Sequence, residues 1–398
     1  MSTDKEQFLK LQGQTNPYPY LIDVDSAKGI YIYDKSGKSY MDMIAGVAVS
    51  NVGHSHPHII QSIKKQLDRH MHVMVYGEFI QDSTLAFSKK LVSLLPEDLN
   101  CVYPVNSGTE ANEAAIKLVK RVTNRSEIIS FRGSYHGSTH GSMSISGNEI
   151  KKQAFRPLLP DIRFLQHNNI NDLDQITAKT AGVIIETIQG DAGVRESSPA
   201  FLKVLKEKCE SVGALLIFDE IQCGMGRAGK LFAFERSNVT PHVLTLGKAL
   251  GGGLPIGALI SSYENLKEFT YNPMLGHITT FGGNPIICAS ALAFLEVLEN
   301  EIIFFEVEKK GQLLVDILSK ETEIKEIRRV GMMFAFDMIS FERVEKVVKR
   351  CLELGLISFW FLSHPYSFRL SPPLNITEDE IIKAGNIILQ AILETKND

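Results

Sequence analysis

From about residue 100 to 265 the chain alternates short apolar runs with segments whose apolar positions recur every three or four residues. Cys101–Val105, Glu127–Phe131, Gly182–Ile188, Ala214–Phe218, Val243–Leu246 and Ala258–Ser261 read as strands. Thr109–Arg121 and Pro199–Val212 read as helices. This alternation implies crossover units and a mostly parallel sheet buried on both faces, whose ligands gather beyond the carboxyl ends of the strands. Before it, Gly29–Tyr33 and Ser39–Met43 read as hairpin strands around Lys35-Ser36-Gly37. After it, residues 284–320 look helical throughout, and residues 326–398 mix strand and helix as a smaller α+β domain does. Its last helix begins at Thr377-Glu378-Asp379-Glu380, a capping box with Thr377 as N-cap. The pattern predicts an α/β fold with a large domain over residues 46–295 and a small C-terminal domain over 296–398. Residues 1–45 are expected to join the small domain.

Composition narrows the class. With 398 residues, 44% hydrophobic and 22% charged, the chain is globular and long enough for a large and a small core. A net charge of −4 gives no reason to expect nucleic acid or an anionic membrane as partner. No apolar stretch of spanning length occurs, and the polar start Met1–Gln7 is unlike a secretory leader. Five scattered cysteines without a Cys-x-x-Cys pair point to a reducing cytoplasm rather than to disulfides or a zinc ribbon.

The candidate chemistry centres on Lys248, in Thr245-Leu246-Gly247-Lys248-Ala249-Leu250-Gly251-Gly252-Gly253 after the run Val243-Leu244. A strand that delivers one lysine into a glycine-rich turn puts its amine in a crevice, where lost hydration lowers its pKa. A neutral lysine forms Schiff bases with carbonyls, as in pyridoxal phosphate (PLP) enzymes. Asn106-Ser107-Gly108-Thr109-Glu110 follows a strand and opens a helix, a cradle for phosphate as well as an ordinary capped turn. Asp219 ends another strand, where a carboxylate can hold a pyridine nitrogen protonated or cap a turn. Gln222, three residues on, can donate to a ring oxygen. Tyr135, after Glu127–Phe131, can stack on a planar ring or serve as core.

Three other motifs point elsewhere and are set aside. Gly224-Met225-Gly226-Arg227-Ala228-Gly229 matches the dinucleotide fingerprint in letters, but Glu220–Cys223 separate it from its strand and no helix pattern follows. Gly53-His54-Ser55-His56-Pro57-His58 offers imidazoles without a second ligand cluster, and reads as a loop before the helix Ile59–His70. Gly247-Lys248 lacks the hydroxyl residue and the earlier glycine of a P-loop. No metal site is expected.

In this order and spacing the chain resembles the class III (ornithine and acetylornithine type) PLP-dependent aminotransferases of fold type I. The likeness spans roughly residues 16 to 392. Its landmarks are Gly53-His54-Ser55-His56-Pro57, Asn106–Ala111, Tyr135-His136-Gly137-Ser138, Glu186-Thr187-Ile188-Gln189-Gly190, Asp219–Gln222, Lys248, Thr280-Phe281-Gly282-Gly283-Asn284-Pro285 and Arg369-Leu370-Ser371-Pro372-Pro373-Leu374. The resemblance implies that Lys248 forms the Schiff base and that Asp219 and Gln222 hold the ring nitrogen and hydroxyl. It implies that Tyr135 stacks on the ring and that Ser107, Gly108 and Thr109 bind phosphate. His136 and Glu186 join the cofactor site. Val47, Ser138, Asp191 and Arg369 fall in the substrate site. Thr280 would reach the cofactor phosphate of a neighbouring subunit, which makes a homodimer part of the site. A released Lys248 amine would move a proton as base and then acid, in a ping-pong cycle.

Two positions depart from the ornithine branch. Ser138 stands where that branch carries an arginine for the α-carboxylate, and a hydroxyl cannot replace a bidentate guanidinium. Asp191 stands where the family has a glutamate that pairs with the arginine matched by Arg369. The expectation is therefore a transaminase taking an amine or ω-amino acid as donor and 2-oxoglutarate or pyruvate as acceptor. An aminomutase or decarboxylase on the same scaffold, or a non-catalytic binding protein, are the alternatives.

Overall fold

A computed structural model describes residues 4–361 and 363–396; Met1–Thr3 of the polar start and the last two residues lie outside the described residues. Its central sheet has seven strands: β1 (Cys101–Val105), β2 (Glu127–Phe131), β3 (Ile162–Leu165), β4 (Thr180–Ile185), β5 (Leu215–Asp219), β6 (Val243–Gly247) and β7 (Gly257–Ser261). Their order across the sheet is β1-β7-β6-β5-β4-β2-β3. Neighbours from β6 to β3 pair in parallel, while β7 runs antiparallel to both β6 and β1. Every residue of β4 and β6 is buried, as expected of strands covered on both faces.

Small residues set how closely the helices approach. Helix Gly108–Thr123 lays Ala111, Ala114, Ala115, Leu118 and Val119 on the sheet, all fully buried. A Cβ at Gly182 in β4 would stand 2.8 Å from Val119 Cγ2, so glycine there is what admits the helix. Helix Pro199–Val212 spans the expected residues; Ser198 caps its start and Gly213, at φ 69°, ends it in the left-handed form. It buries Phe201, Leu202, Leu205 and Cys209. Truncating such a leucine to alanine costs about 2–5 kcal/mol.

Four expectations need correction. The strand read as Gly182–Ile188 stops at Ile185, and Ile188–Gln189 pairs separately with Arg195–Glu196. That break turns Glu186 out of the sheet. Strand β3, at the sheet edge with a half-exposed face, has too weak an apolar pattern to be read. Residues 284–320 are not helical throughout: Pro285–Glu301 and Phe304–Leu318 are helices, with Ile302 and Ile303 extended between them. The break lets the first pack on helices Pro57–Leu67 and Asp82–Ser93, and the second on Glu378–Glu394. Val24–Lys28 adds a strand before the hairpin, whose own strands are Tyr31–Asp34 and Ser39–Asp42.

The C-terminal part carries an antiparallel sheet in the order Glu326–Val330, Met333–Asp337, Ser367–Leu370, Phe359–Trp360. Leu356–Ile357 pairs in parallel with Met41–Asp42 and so ties the N-terminal strands to this part. Helix Glu378–Glu394 starts with the capping box: Thr377 accepts from Glu380 N–H, and the Glu380 carboxylate accepts from Thr377 N–H.

The glycine segment Gly224–Gly229 forms turns around Arg227, whose side chain is wholly buried. Its guanidinium donates to the carbonyls of Met332 and Pro372 and to Asn51 Oδ1, joining three distant stretches. Burial pushes it down to about 9. The three imidazoles are also structural: His54 meets Asp42 at 2.9 Å, His56 meets Glu301 at 3.2 Å and His58 meets Glu296 at 2.7 Å.

Candidate active site

The carboxyl ends of β2, β4, β5 and β6 and the start of helix Gly108–Thr123 surround a cavity of about 270 Å³. Gly108, Thr109, Tyr135, His136, Gly137, Ser138, Glu186, Asp219, Ile221, Gln222 and Lys248 line it. Nine of these eleven are candidates from the sequence, brought together from the ends of five strands or the connections that follow them. Wider grooves on the surface, such as the one of about 900 Å³ at Lys203, Lys206 and His242, are open and gather no such convergent set.

Lys248 follows the last residue of β6 and opens the short turn Lys248–Gly251. Its φ of 44° lies in the left-handed region, a strain of about 1–2 kcal/mol for a residue with a side chain. Close packing over-determines it. A Cβ at Gly247 would stand 3.3 Å from Gly108 Cα, so the lysine turn and the helix start meet glycine to glycine. Burial pushes the Lys248 amine below its ordinary value, and the carboxylates of Asp219 and Glu186 oppose that shift.

Asp219 ends β5 beside Thr245 of β6 and is 4% exposed. Its carboxylate is held from several sides. Asn112 Nδ2 donates to Oδ2 at 2.8 Å, His136 Nδ1 lies 2.7 Å from the same oxygen, and Ile221 N–H donates to Oδ1 at 3.1 Å. Asn112 also donates to the His136 carbonyl at 2.8 Å and accepts from Thr245 Oγ1 at 2.9 Å. Sequence reading missed Asn112 as a site residue. The available signal was a polar side chain on the helix face otherwise made of Ala111, Ala115 and Leu118.

Glu186 accepts from Tyr135 N–H at 2.8 Å and Gly190 N–H at 3.2 Å. Burial pushes its carboxyl well above the usual range, and Asp219 adds to the shift. Burial likewise raises the Tyr135 phenol, with Asp191 contributing.

At the helix start Ser107 is the N-cap, accepting from Glu110 N–H at 3.3 Å. Thr109 Oγ1 meets Ser142 Oγ at 2.5 Å and Thr139 Oγ1 at 2.9 Å. A Cβ on Gly137, whose φ is 130°, would run into Thr109 and Ser142.

The remaining candidates lie outside the cavity lining. Arg369, in strand Ser367–Leu370, is 8% exposed, with its guanidinium carbon 5.5 and 5.6 Å from the ring centres of Phe359 and Phe361. Burial lowers it and Asp191 opposes this. Asp191 Oδ2 accepts from Ser363 Oγ at 2.7 Å. Val47 sits at φ 66° in a turn where Ala45, Gly46 and Ala48 also have positive φ. Ser371 ties that turn to the Arg369 strand through Met43 O and Ile44 O. Thr280 is exposed on a loop apart from the cavity.

A model of the class III aminotransferase family matches residues 13–392. The chain belongs to the class III aminotransferases. It is 38% identical over 383 residues to an acetylornithine aminotransferase of Methanocaldococcus jannaschii, covering 93% of each chain. It is 36% identical over 374 residues to a [LysW]-aminoadipate semialdehyde/glutamate semialdehyde transaminase of Sulfolobus acidocaldarius, covering 92% of this chain and 94% of that one. The solved ornithine aminotransferase of Toxoplasma gondii ME49 superposes with a TM-score of 0.91 at 29% identity, over 100% of this chain and 96% of the other.

Class III aminotransferases are PLP-dependent transaminases, and this one has the α/β fold of the family. The cavity suits that cofactor in its donor set. It offers a buried amine, an anion at the end of β5, an amide, an aromatic side chain and the N–H end of a helix. The space at Gly108 and Gly137 is of the kind a side chain would close: a Cβ at Gly108 would stand 2.8 Å from two carbons of Ile221.

Proposed function

We propose that this class III aminotransferase moves an amino group from an amine or ω-amino acid to 2-oxoglutarate or pyruvate in a ping-pong cycle at the Lys248 cavity. The observation that carries the reading is the convergence of Lys248, Asp219, Gln222 and Tyr135 on one small buried space. Bound PLP supplies an aldehyde that takes up the amino group and a protonated ring that withdraws electrons from the substrate carbon.

In this reading Lys248 holds the cofactor covalently between turnovers. Its uncharged amine would then take a proton from the substrate carbon as base and give it back as acid. Asp219 keeps the ring nitrogen protonated, and Asn112 and His136 keep Asp219 in place. Gln222 donates to the ring oxygen and Tyr135 covers a ring face. Ser107, Gly108 and Thr109 meet the phosphate at the positive end of their helix. Glu186 accepts from Tyr135 N–H and so holds the Tyr135 segment at the cavity.

Arg369 is assigned the keto-acid carboxylate, and Val47 the wall near it. Ser138 leaves no guanidinium at the cavity mouth, which favours donors that present an amine without an adjacent carboxylate. The relatives' names, acetylornithine and the two semialdehydes, point to amines at the end of a short carboxylated chain.

A homodimer completes the site, with Thr280 reaching the neighbouring phosphate. Supporting this, Met74, Phe79, Ile80, Met274, Leu275 and Phe281 are exposed on two segments joined by the His72–Phe281 ring contact at 4.9 Å. Free thiols fit a cytoplasmic setting, and among the described residues no helix is long and apolar enough to cross a membrane. The division into residues 1–45 with 296–398 and 46–295 is supported by the parallel pairing of Leu356–Ile357 with Met41–Asp42.

Two measurements test the reading. Borohydride reduction of the PLP-loaded protein followed by peptide mapping is expected to label Lys248; an unmodified Lys248 peptide overturns the cofactor assignment. A donor-by-acceptor screen is expected to show ω-amine turnover; activity confined to α-amino groups overturns the donor assignment.

A further inference from the structure

A hydrogen-bond chain near Arg369 links Asp191 to two residues that have no role assigned above. Asn148 Nδ2 donates to Ser363 Oγ at 2.9 Å, and Ser363 Oγ donates to Asp191 Oδ2 at 2.7 Å. Its three members come from separate stretches. Asn148 lies between β2 and β3, Asp191 follows β4, and Ser363 lies between Phe359–Trp360 and Ser367–Leu370 of the C-terminal sheet. Its direction is determined by donor chemistry. The amide NH₂ only donates, so the serine oxygen accepts from it and the single hydroxyl proton is left for the carboxylate. Asn148 is itself anchored, because its Oδ1 caps helix Glu149–Lys152 by accepting from Ile150 N–H at 3.1 Å.

The chain ends on a carboxylate that is 6% exposed and is the foremost opposite charge acting on Arg369. The Arg369 guanidinium is flanked by Phe359 and Phe361, which restrict where it can turn. A carboxylate free to rotate beside a desolvated guanidinium closes on it in a two-pronged pair. An incoming substrate carboxylate must then displace it. A carboxylate pinned by a hydroxyl lowers the charge cost of burying the arginine without occupying its fork.

We propose that Ser363, oriented by Asn148, is a positioning residue that pins Asp191 beside Arg369 and so keeps the guanidinium open for the carboxylate of the acceptor. This rests on the reading of Arg369 as the carboxylate receiver. It assigns acceptor affinity to a serine between two strands of the C-terminal sheet that touches no reacting atom.

The test compares Ser363→Ala, Ser363→Thr, Asp191→Asn, the Ser363→Ala/Asp191→Asn pair, Asn148→Asp and Arg369→Ala. It uses PLP-loaded protein of matched melting temperature. The readouts are kcat and KM for 2-oxoglutarate, and the calorimetric Kd of glutarate, an unreactive dicarboxylate of the same length. Ser363→Ala is expected to raise both KM and Kd about tenfold while kcat changes less than about twofold. Ser363→Thr, which keeps the hydroxyl, restores both. Asn148→Asp keeps the helix cap but draws the serine proton to itself, and shifts both constants in the same direction as Ser363→Ala. In the Asp191→Asn background Ser363→Ala adds nothing further, because no competing anion is left to release.

A Ser363→Ala penalty that persists undiminished in that background overturns the proposal, as does an unchanged glutarate Kd. Arg369→Ala separates the two levels of the argument. If it weakens glutarate and Ser363→Ala does not, only the serine assignment fails. If Arg369→Ala leaves glutarate binding intact, the carboxylate reading fails with it.

Discussion

At the Lys248 end of the site, the lining side chains stand at or just beyond the carboxyl end of a strand in one sheet, or on the helix that follows β1. At the Arg369 end, Val47, Asp191, Ser363 and Arg369 come from four separate stretches of the chain, two of them in the C-terminal sheet region. The first end is fixed by the register of parallel strands, such as Asp219 against Thr245. The second is fixed by contacts between parts: the Asn148–Ser363–Asp191 chain and Ser371 on the Val47 turn. Under the proposed function the difference divides the duties: the sheet end would hold the groups that set the rate of proton movement, and the composite end those that set which acid binds.

Substitutions test that division, beginning with the largest effect. Lys248→Ala is expected to lower kcat by about 10³-fold or more, since the proposed covalent attachment and the proposed base are both lost. Single-turnover absorbance changes on adding donor measure it. Asp219→Asn is expected to cost about 10²–10³-fold in kcat, with little change in KM for the acceptor, because the charge proposed to hold the ring nitrogen protonated disappears. Steady-state kinetics with spectral titration of the bound cofactor checks both parts.

Asn112→Ala is expected to act through Asp219, lowering kcat about tenfold and shifting the spectral pKa of the bound cofactor. A KM effect without a spectral shift would place Asn112 at the composite end and erase the distinction.

The smallest expected effect concerns stability. Arg328 makes a forked pair with Asp337 and donates to Gly193 O at 2.6 Å, clamping the turn after Asp191 to the C-terminal sheet. Burial pushes the Asp337 carboxyl up, but hydrogen bonds from His364, Arg328 and Ser367 outweigh it and carry it well below the usual range. A depressed folded-state pKa stabilises above the unfolded value of about 4 and loses that contribution as pH falls toward the folded one. Asp337→Asn is expected to destabilise by about 1 kcal/mol at pH 7, discounted for the partly solvated pair, and by less below about pH 4. Urea unfolding across that window measures it; a difference that grows in acid contradicts the sign.

The large sheet was legible because its strands are short apolar runs and its capped helix of residues 199–212 is bounded by Pro199 and Gly213. Lys248, Asp219, Gln222 and Tyr135 were legible because each stands at or shortly after a strand end, where open sheets place ligands. The break at Ile302–Ile303 was not, since an apolar pattern runs through it and only the packing partners on either side tell the two helices apart. Asn112 was hidden because a polar residue among alanines reads as an ordinary helix position until its three partners are known.

Local order along the chain therefore determined the class of fold, the family and the residues of the Lys248 end. Those depend on strand ends, glycines and caps, whose meaning is carried within a few residues. Tertiary structure alone decided that Ser363 meets Asp191, that Arg227 joins three stretches, and that Arg369 lies between Phe359 and Phe361. Those contacts join residues far apart in the chain, and side-chain hydrogen bonds over such separations leave no periodic signal in sequence.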